Sequence, residues 1–263
     1  MEVNVIGAGV MGHQIVAFLN GLGYKVYLYT SNNNPSTLIK KIRVSARVQG
    51  LMFNRDNLVI INNIDDLDKE ILTIESSPDN LDVKKSVYMK FAEDNIDGYF
   101  TTTSSIPLNL IGNNVSGLHF FNPISIKLIE YDYQNNKPTA QQDELLKRLM
   151  LLDYNLIEIF NMPGYLANRI IFNEISEAFK LYELHNVSAK DIKSIYTDVR
   201  KSQDPFALSD LIGIDTCKLI LTNLEKYVSK NYRVPQLFRD AVSLGVLGKK
   251  NSTSIVSLLD HVE

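Results

Sequence analysis

The chain has 263 residues, 45% of them hydrophobic, with 27 basic and 30 acidic side chains and a formal net charge of −3. That is enough for one large domain, or for a domain of about 150 residues with a smaller partner, and it excludes the clustered basic charge of a nucleic-acid binder. A single cysteine, Cys217, no export signal after Met1 and no run of the ~20 apolar residues that a membrane span needs together predict a cytoplasmic protein with no membrane partner.

Val3, Val5 and Ile6 open the chain as a short apolar strand, and Gly7-Ala8-Gly9-Val10-Met11-Gly12 follows at once. Ile15, Val16, Phe18, Leu19 and Leu22 then recur at helical spacing up to Gly23, and Lys25–Tyr29 is a second strand. Ser36 to about Leu51 has the pattern of a helix carrying Lys40, Lys41, Arg43 and Arg47. Further strands are expected at Leu58–Ile61, Glu70–Ile74, Tyr99–Thr102, Gly117–Phe121 and Ile126–Tyr131, with a helix over Asp82–Phe91. Strands alternating with helices predict a mainly parallel sheet.

The texture changes at about Asn161, where Met162-Pro163-Gly164 is a breaker. Tyr165–Leu184 then reads as one helix with Ile170, Ile171, Ile175, Ala178 and Leu181 along a stripe. Helical patterns continue at Ala189–Val199, Ala207–Val228 and Pro235–Leu244. The parse is a Rossmann-type, doubly wound α/β domain over residues 1–161, followed by an all-helical C-terminal domain over 162–263.

A Gly-X-Gly-X-X-Gly turn alone is a weak signal, but here a strand precedes it and a helix and second strand follow. Gly7 permits a tight turn, Gly9 lets the backbone approach a pyrophosphate, and Gly12 lets helix and strand pack closely. The helix start, with Met11 in its first turn, then faces the anion with N–H groups and the positive dipole end. A bare glycine-rich turn is the alternative. One part is missing: Thr30-Ser31-Asn32 stands where a carboxylate would take the ribose 2′-hydroxyl of NAD. Without that acid a 2′-phosphate is not repelled, and Ser31 or Asn32 offers it hydrogen bonds. Yet no arginine follows immediately, and Lys40 or Arg43 either reaches back or belongs to a solvated helix face. The cofactor is therefore NAD(P), with both forms open.

His119 lies in Gly117-Leu118-His119-Phe120-Phe121-Asn122-Pro123, with Ser104 and Ser105 after an earlier strand and Glu130 on the next one. A lone histidine on an apolar segment is more often a core residue. Hydride transfer from an alcohol, however, needs a base with a pKa near working pH, and a carboxylate that orients the imidazole and stabilises its charged form.

At these residues the chain resembles the 3-hydroxyacyl-CoA dehydrogenase family across nearly its whole length. The resemblance rests on Val5–Gly12, Thr103-Ser104-Ser105, Gly117–Pro123 and Lys127–Glu130. It continues through Pro163–Arg169, Asp204–Asp210 and Gly213-Ile214-Asp215. It implies that His119 is the general acid/base and Glu130 its orienting partner. Ser104 and Asn168 would hydrogen-bond the reacting oxygen or the thioester carbonyl. Asp79 and Lys84 would make cofactor-side contacts, the family usually having Glu at the first. The C-terminal helices would form a homodimer interface, and no metal is implied. Each residue also has a plain structural alternative: Ser104 a turn cap, Asn168 a helix start, Glu130 a surface strand position.

Four departures stand out: Thr30 for the expected acid, a shortened segment between the second and third strands, a Pro123-to-Glu130 interval one residue short, and Asn251-Ser252-Thr253 closing the Gly248-Lys249-Lys250 motif. The short interval predicts a slightly displaced Glu130. The trimmed segment with its four cations suits an acyl-carrier protein as well as acyl-CoA, as in family members that act on carrier-bound hydroxyacyl units. A free hydroxy acid as substrate and a non-catalytic dinucleotide binder are the competing readings.

Overall fold

The computed structural model describes residues 1–31, 34–92, 98–185 and 187–259. The chain forms two compact units, Met1–Met162 and Pro163–Glu263.

The first unit is an eight-stranded sheet made of β1 (Glu2–Ile6), β2 (Lys25–Tyr29), β3 (Leu58–Ile61), β4 (Thr73–Glu75), β5 (Tyr99–Thr101), β6 (Ser116–Phe120), β7 (Leu128–Asp132) and β8 (Asn155–Glu158). The strands lie in the order β3-β2-β1-β4-β5-β6-β7-β8, parallel except where β6 meets β7. Helices α1 (Val10–Gly21), α2 (Pro35–Val48), α3 (Leu81–Val87), α4 (Leu108–Ile111) and α5 (Ala140–Leu151) connect them. This is the doubly wound, mostly parallel architecture expected from the alternating pattern.

Both faces of the sheet are covered, so its inner strands are apolar on both sides. Val3 and Val5 pack with α1, α2 and α5 residues such as Val16, Leu19, Ile42 and Leu145. Ile6, on the other face, joins Tyr88, Phe91, Tyr99 and Ile111. Asn4 is fully buried between them, and its amide donates to the Asp68 carbonyl at 2.7 Å and to Thr73 Oγ1 at 3.1 Å.

Local chemistry sets the element ends. Asn34 caps α2 by accepting from Thr37 N, with Pro35 in the first turn. The strand expected from Glu70 begins at Thr73 instead. Gln141 takes the backbone groups before it: Leu72 N donates to Gln141 Oε1 at 2.6 Å, and Gln141 Nε2 donates to the Glu70 carbonyl at 3.1 Å. The strand expected from Ile126 begins at Leu128, because a turn with Ile126 N bonded to the Pro123 carbonyl comes first. α5 and β8 lie where no element was expected. α5 starts in a reciprocal capping box between Thr139 and Gln142.

The second unit is helical: α6 (Tyr165–His185), α7 (Ala189–Ser194), α8 (Pro205–Ile212), α9 (Ile214–Tyr227), α10 (Gln236–Ser243) and α11 (Val256–Leu259). The single helix expected over Ala207–Val228 is two, because Gly213 adopts φ 101° between them. In α6 the buried stripe includes Ile175 and Ala178, but Ile170 is exposed, and Phe172 and Phe179 take the central places. Phe179 meets Phe206 and Phe238 edge-on at 4.8 and 4.6 Å. The segment after α10 is tied down: Ile255 N and Ser254 Oγ donate to the Asp210 carboxylate, and Lys250 Nζ reaches Asp215 at 2.7 Å. Among the described residues, no helix is long and apolar enough to cross a membrane.

Cys217 is buried in this second core, and burial pushes its thiol up to about 12. The thiolate, the reactive form, is therefore scarce through pH 9. Iodoacetamide at pH 8 is expected to leave the native chain unlabelled and to alkylate Cys217 fully in urea, as read by intact mass. Rapid labelling without denaturant would contradict the packing described.

Candidate active site

In a parallel sheet, the strand ends that face one way are carboxyl ends, and side chains just beyond them converge on the crevice where strand order reverses. Here the reversal lies between β1 and β4. Gly7 follows β1, Thr30 follows β2, the Ser76–Asp79 turn follows β4, Ser104 follows β5, and His119 is near the end of β6.

The glycine turn is built for close approach. Gly7 has φ 103°, and a Cβ there would lie 2.5 Å from the Ser76 carbonyl oxygen, while one on Gly12 would press into Gly7's own carbonyl. Gly9 is exposed, with nothing within 4 Å of where its Cβ would lie. It caps α1 without a side-chain hydrogen bond, so the helix presents backbone N–H groups at its start. Val10 is exposed and Met11 half-buried in that first turn. This uncapped start beside an open cradle fits a dinucleotide pyrophosphate. Thr30 is buried, with its N–H directed to the Ile61 carbonyl at 3.3 Å; Asn32 lies outside the described residues.

His119 and Glu130 face one another as a cross-strand pair of the antiparallel β6–β7 ladder. His119 Nδ1 lies 2.8 Å from Glu130 Oε2, and both side chains are buried. The short interval leaves Glu130 within hydrogen-bond reach of His119: the ladder sets its place, and a turn with Ile126 N bonded to the Pro123 carbonyl precedes Leu128. When Nδ1–H donates to the Glu130 carboxylate, the neutral ring carries its lone pair on Nε2. The Phe121 ring lies 4.9 Å from the imidazole. Gln14 of α1 steadies the following turn, donating to Asn122 Oδ1 at 3.0 Å and accepting from Ile124 N at 3.2 Å.

Ser104 is half-buried, between the fully buried hydroxyls of Thr103 and Ser105. All three hydroxyls reach the Asp79 carboxylate. Lys84 occupies a different level. Its side chain is 1% exposed, and Nζ lies 3.0 Å from both carboxylate oxygens of Glu75, which is itself fully buried. Nζ also donates to the Ser77 carbonyl at 3.3 Å, and the remaining Glu75 capacity is filled by Ser77 N, Ser77 Oγ and Thr101 Oγ1 at 2.5 Å. Asn168 belongs to the second unit, buried in the first turn of α6.

Sequence reasoning missed Glu75 and Gln14. Glu75 ends a strand, where a lone acid ordinarily marks a solvated rim, and only its nine-residue spacing to Lys84 hints at a pair. Nothing in the sequence around Gln14 distinguishes it.

Two family models match: the NAD binding domain of 3-hydroxyacyl-CoA dehydrogenase over residues 2–142 and the C-terminal domain of the same enzyme over 164–257. The 3-hydroxybutyryl-CoA dehydrogenase of Mycobacterium tuberculosis is 25% identical, over 95% of this chain and 96% of the relative. The human mitochondrial hydroxyacyl-coenzyme A dehydrogenase is 27% identical, over 88% and 82%. Among solved structures, (S)-3-hydroxybutyryl-CoA dehydrogenase from Ralstonia eutropha shares the fold, with a TM-score of 0.79, 24% identity and 97% of each chain covered.

Breaking a fully buried ion pair leaves an uncompensated charge and costs about 3–5 kcal/mol. Lys84→Met is expected to lose stability of that order in urea, followed by circular dichroism because the chain has no tryptophan. An unchanged midpoint would mean that Glu75 is solvated.

Proposed function

The chain belongs to the 3-hydroxyacyl-CoA dehydrogenase family, and we propose that it moves a hydride between NAD(P) and the 3-hydroxy/3-oxo carbon of an acyl thioester. The observation that carries the reading is the His119–Glu130 pair at the same sheet edge as the uncapped, glycine-turned start of α1.

The nicotinamide supplies or accepts the hydride when the dinucleotide is bound. Gly7, Gly9 and Gly12 give the backbone its close approach, and the first N–H groups of α1, with Met11 among them, meet the pyrophosphate charge. Thr30 in place of an acid removes the carboxylate that repels a 2′-phosphate, so NADPH and NADH are both candidate donors. Lys84 acts from beneath the crevice, with its ammonium committed to Glu75.

In the oxidative direction, His119 Nε2 takes the hydroxyl proton while Glu130 holds the ring and stabilises the imidazolium. In the reductive direction, Nε2 returns the proton to the forming alkoxide. Ser104 and Asn168 donate to the reacting oxygen or thioester carbonyl, where negative charge develops. By the same family reading, the helical unit pairs with a second copy.

The test is an absorbance assay at the nicotinamide band, with NADH and NADPH offered separately against acetoacetyl-CoA. Oxidation of either cofactor is expected. His119→Ala should lower kcat by about 10²–10⁴ while leaving dinucleotide affinity unchanged. Near-normal turnover of the variant would remove His119 from the chemistry. Activity on an unesterified hydroxy acid alone would favour the free-acid reading, and dinucleotide binding without turnover on any of these would favour a non-catalytic role.

A second reading concerns how the thioester arrives. α2 contains no acidic residue, and it exposes Lys40, Lys41, Arg43 and Arg47 around Val44 and Val48, which are 62% and 68% exposed. This is a cationic face with an apolar centre on a chain of net charge −3. Beside it, a groove of about 260 Å³ lined by Gln14, Val44, Val48, Gln49, Asn122 and Pro123 extends to the turn that follows His119. An acidic helix of a carrier protein suits the face, and a pantetheine arm suits the groove. Reversing two rim charges, Lys40→Glu with Lys41→Glu, should lower kcat/KM on a carrier-bound acyl group by about 10-fold through slower association. A clear preference of the unmodified enzyme for the CoA thioester over the same acyl group on a carrier would count against this reading.

A further inference from the structure

We infer that Asp79 is a positioning residue for the Ser104 hydroxyl, holding the loop after β5 so that one of three consecutive hydroxyls faces substrate. The inference rests on the reading of Ser104 as a substrate hydrogen-bond donor.

Four donors from three successive residues converge on this carboxylate. Thr103 Oγ1 donates to Oδ1, Ser105 Oγ donates to Oδ2 at 2.9 Å, and Ser104 N and Oγ both approach Oδ2 at 3.4 Å. Among the described residues, Asp79 is in none of the ion pairs, so its charge is balanced by hydroxyls and a backbone N–H alone. Thr103 and Ser105 are 1% and 0% exposed, and Ser104 between them is partly exposed. The two buried neighbours therefore make the committed bonds. The Ser104 hydroxyl makes the longest contact of the three, and it is the partly exposed one.

The carboxylate also sets polarity. An ionised Asp79 only accepts, so each hydroxyl that meets it points its proton inward, and the Thr103 oxygen then accepts from Ile106 N at 3.2 Å. The loop is held from below as well, where Thr103 N donates to Thr101 Oγ1 and Thr101 Oγ1 donates to Glu75. In Asp79→Asn, one of the two oxygens would remain to accept, and an NH₂ would oppose the donors that meet the other. Hydroxyls can turn to accept, but the Ser104 N–H cannot.

Asp79→Asn is expected to lower kcat by about 10–100-fold through a displaced Ser104. Asp79→Glu, which keeps the carboxylate, should retain most of kcat. Adding Asp79→Asn to Ser104→Ala should bring little further loss, because both act through one hydroxyl. Hydrogen exchange reads the clamp without turnover: the amides of 104–106 should exchange faster in Asp79→Asn and regain protection in Asp79→Glu. Unchanged exchange would overturn the inference, as would multiplicative effects of the two substitutions. So would a weakened dinucleotide Kd with kcat retained, which would make Asp79 a cofactor contact. Absence of turnover in the unmodified enzyme would instead remove the proposed reaction, and the exchange measurement would still decide the clamp.

Discussion

A lysine ammonium and a carboxylate taken out of water are tolerated only when each finds nearly all of its hydrogen bonds, because desolvation costs several kcal/mol per ion. The Glu75–Lys84 pair meets that demand with groups from the turn after β4 and from the end of β5. Glu75 accepts from Ser77 and Thr101, and Lys84 donates to the Ser77 carbonyl. Satisfying the pair therefore fixes the paths taken by the chain after β4 and after β5. The first path lies against Gly7, where the Ser76 carbonyl leaves no room for a Cβ. The second carries Thr103 to Ser105. One buried charge pair thus braces the glycine turn on one side and the serine loop on the other. The crevice between them is where the proposed reaction has its hydride donor and its substrate oxygen.

Much of this was legible in the sequence, and the limits have physical causes. The glycine turn, the two strands around it and α1 announce themselves because steric need and helical spacing are local. The pairing of His119 with Glu130 was legible only through the family's motif order. What places them together is a cross-strand register, and a register joins residues eleven apart without any local mark. β8 went unread because its pattern is half-exposed and flanked by no strong breaker, and its partner β7 defines it. α8 and α9 read as one helix since their apolar spacing continues through Gly213, and only that residue's positive φ separates them. Of the two residues the resemblance marks for cofactor-side contacts, Lys84 is sealed beneath the loops, and Asp79 is half-buried and turned to hydroxyls of its own chain.

The two acids of the crevice, Glu75 and Asp79, are only four residues apart yet have different surroundings. Glu75 is wholly buried and balanced by a full positive charge, so it behaves as part of the core. Asp79 is partly exposed and balanced by dipoles alone, an arrangement that a bound ligand can compete with. The gradation from fixed core to adjustable rim runs along one short turn. Rigidity is concentrated below, where it holds geometry, and exposure begins at Ser104, on the rim.

The same division explains why a missing residue between Pro123 and Glu130 leaves the dyad intact. Loop length fixes strand register only when the loop is too short to close, and the turn over Pro123–Leu128 closes with two backbone hydrogen bonds of its own. Beyond it, four matched pairs from Gly117–Asp132 to Phe120–Ile129 hold β7 against β6. Slipping by one residue would turn Glu130 to the opposite face and bring apolar Ile129 or Tyr131 opposite His119. It would also take Ile129 out of the core, where it is fully buried with Leu118 and Phe120. The hydrophobic pattern of β7 thus enforces the position of its one buried glutamate. Loop variation in this region is expected to be neutral to the dyad for as long as Ile129 stays inside.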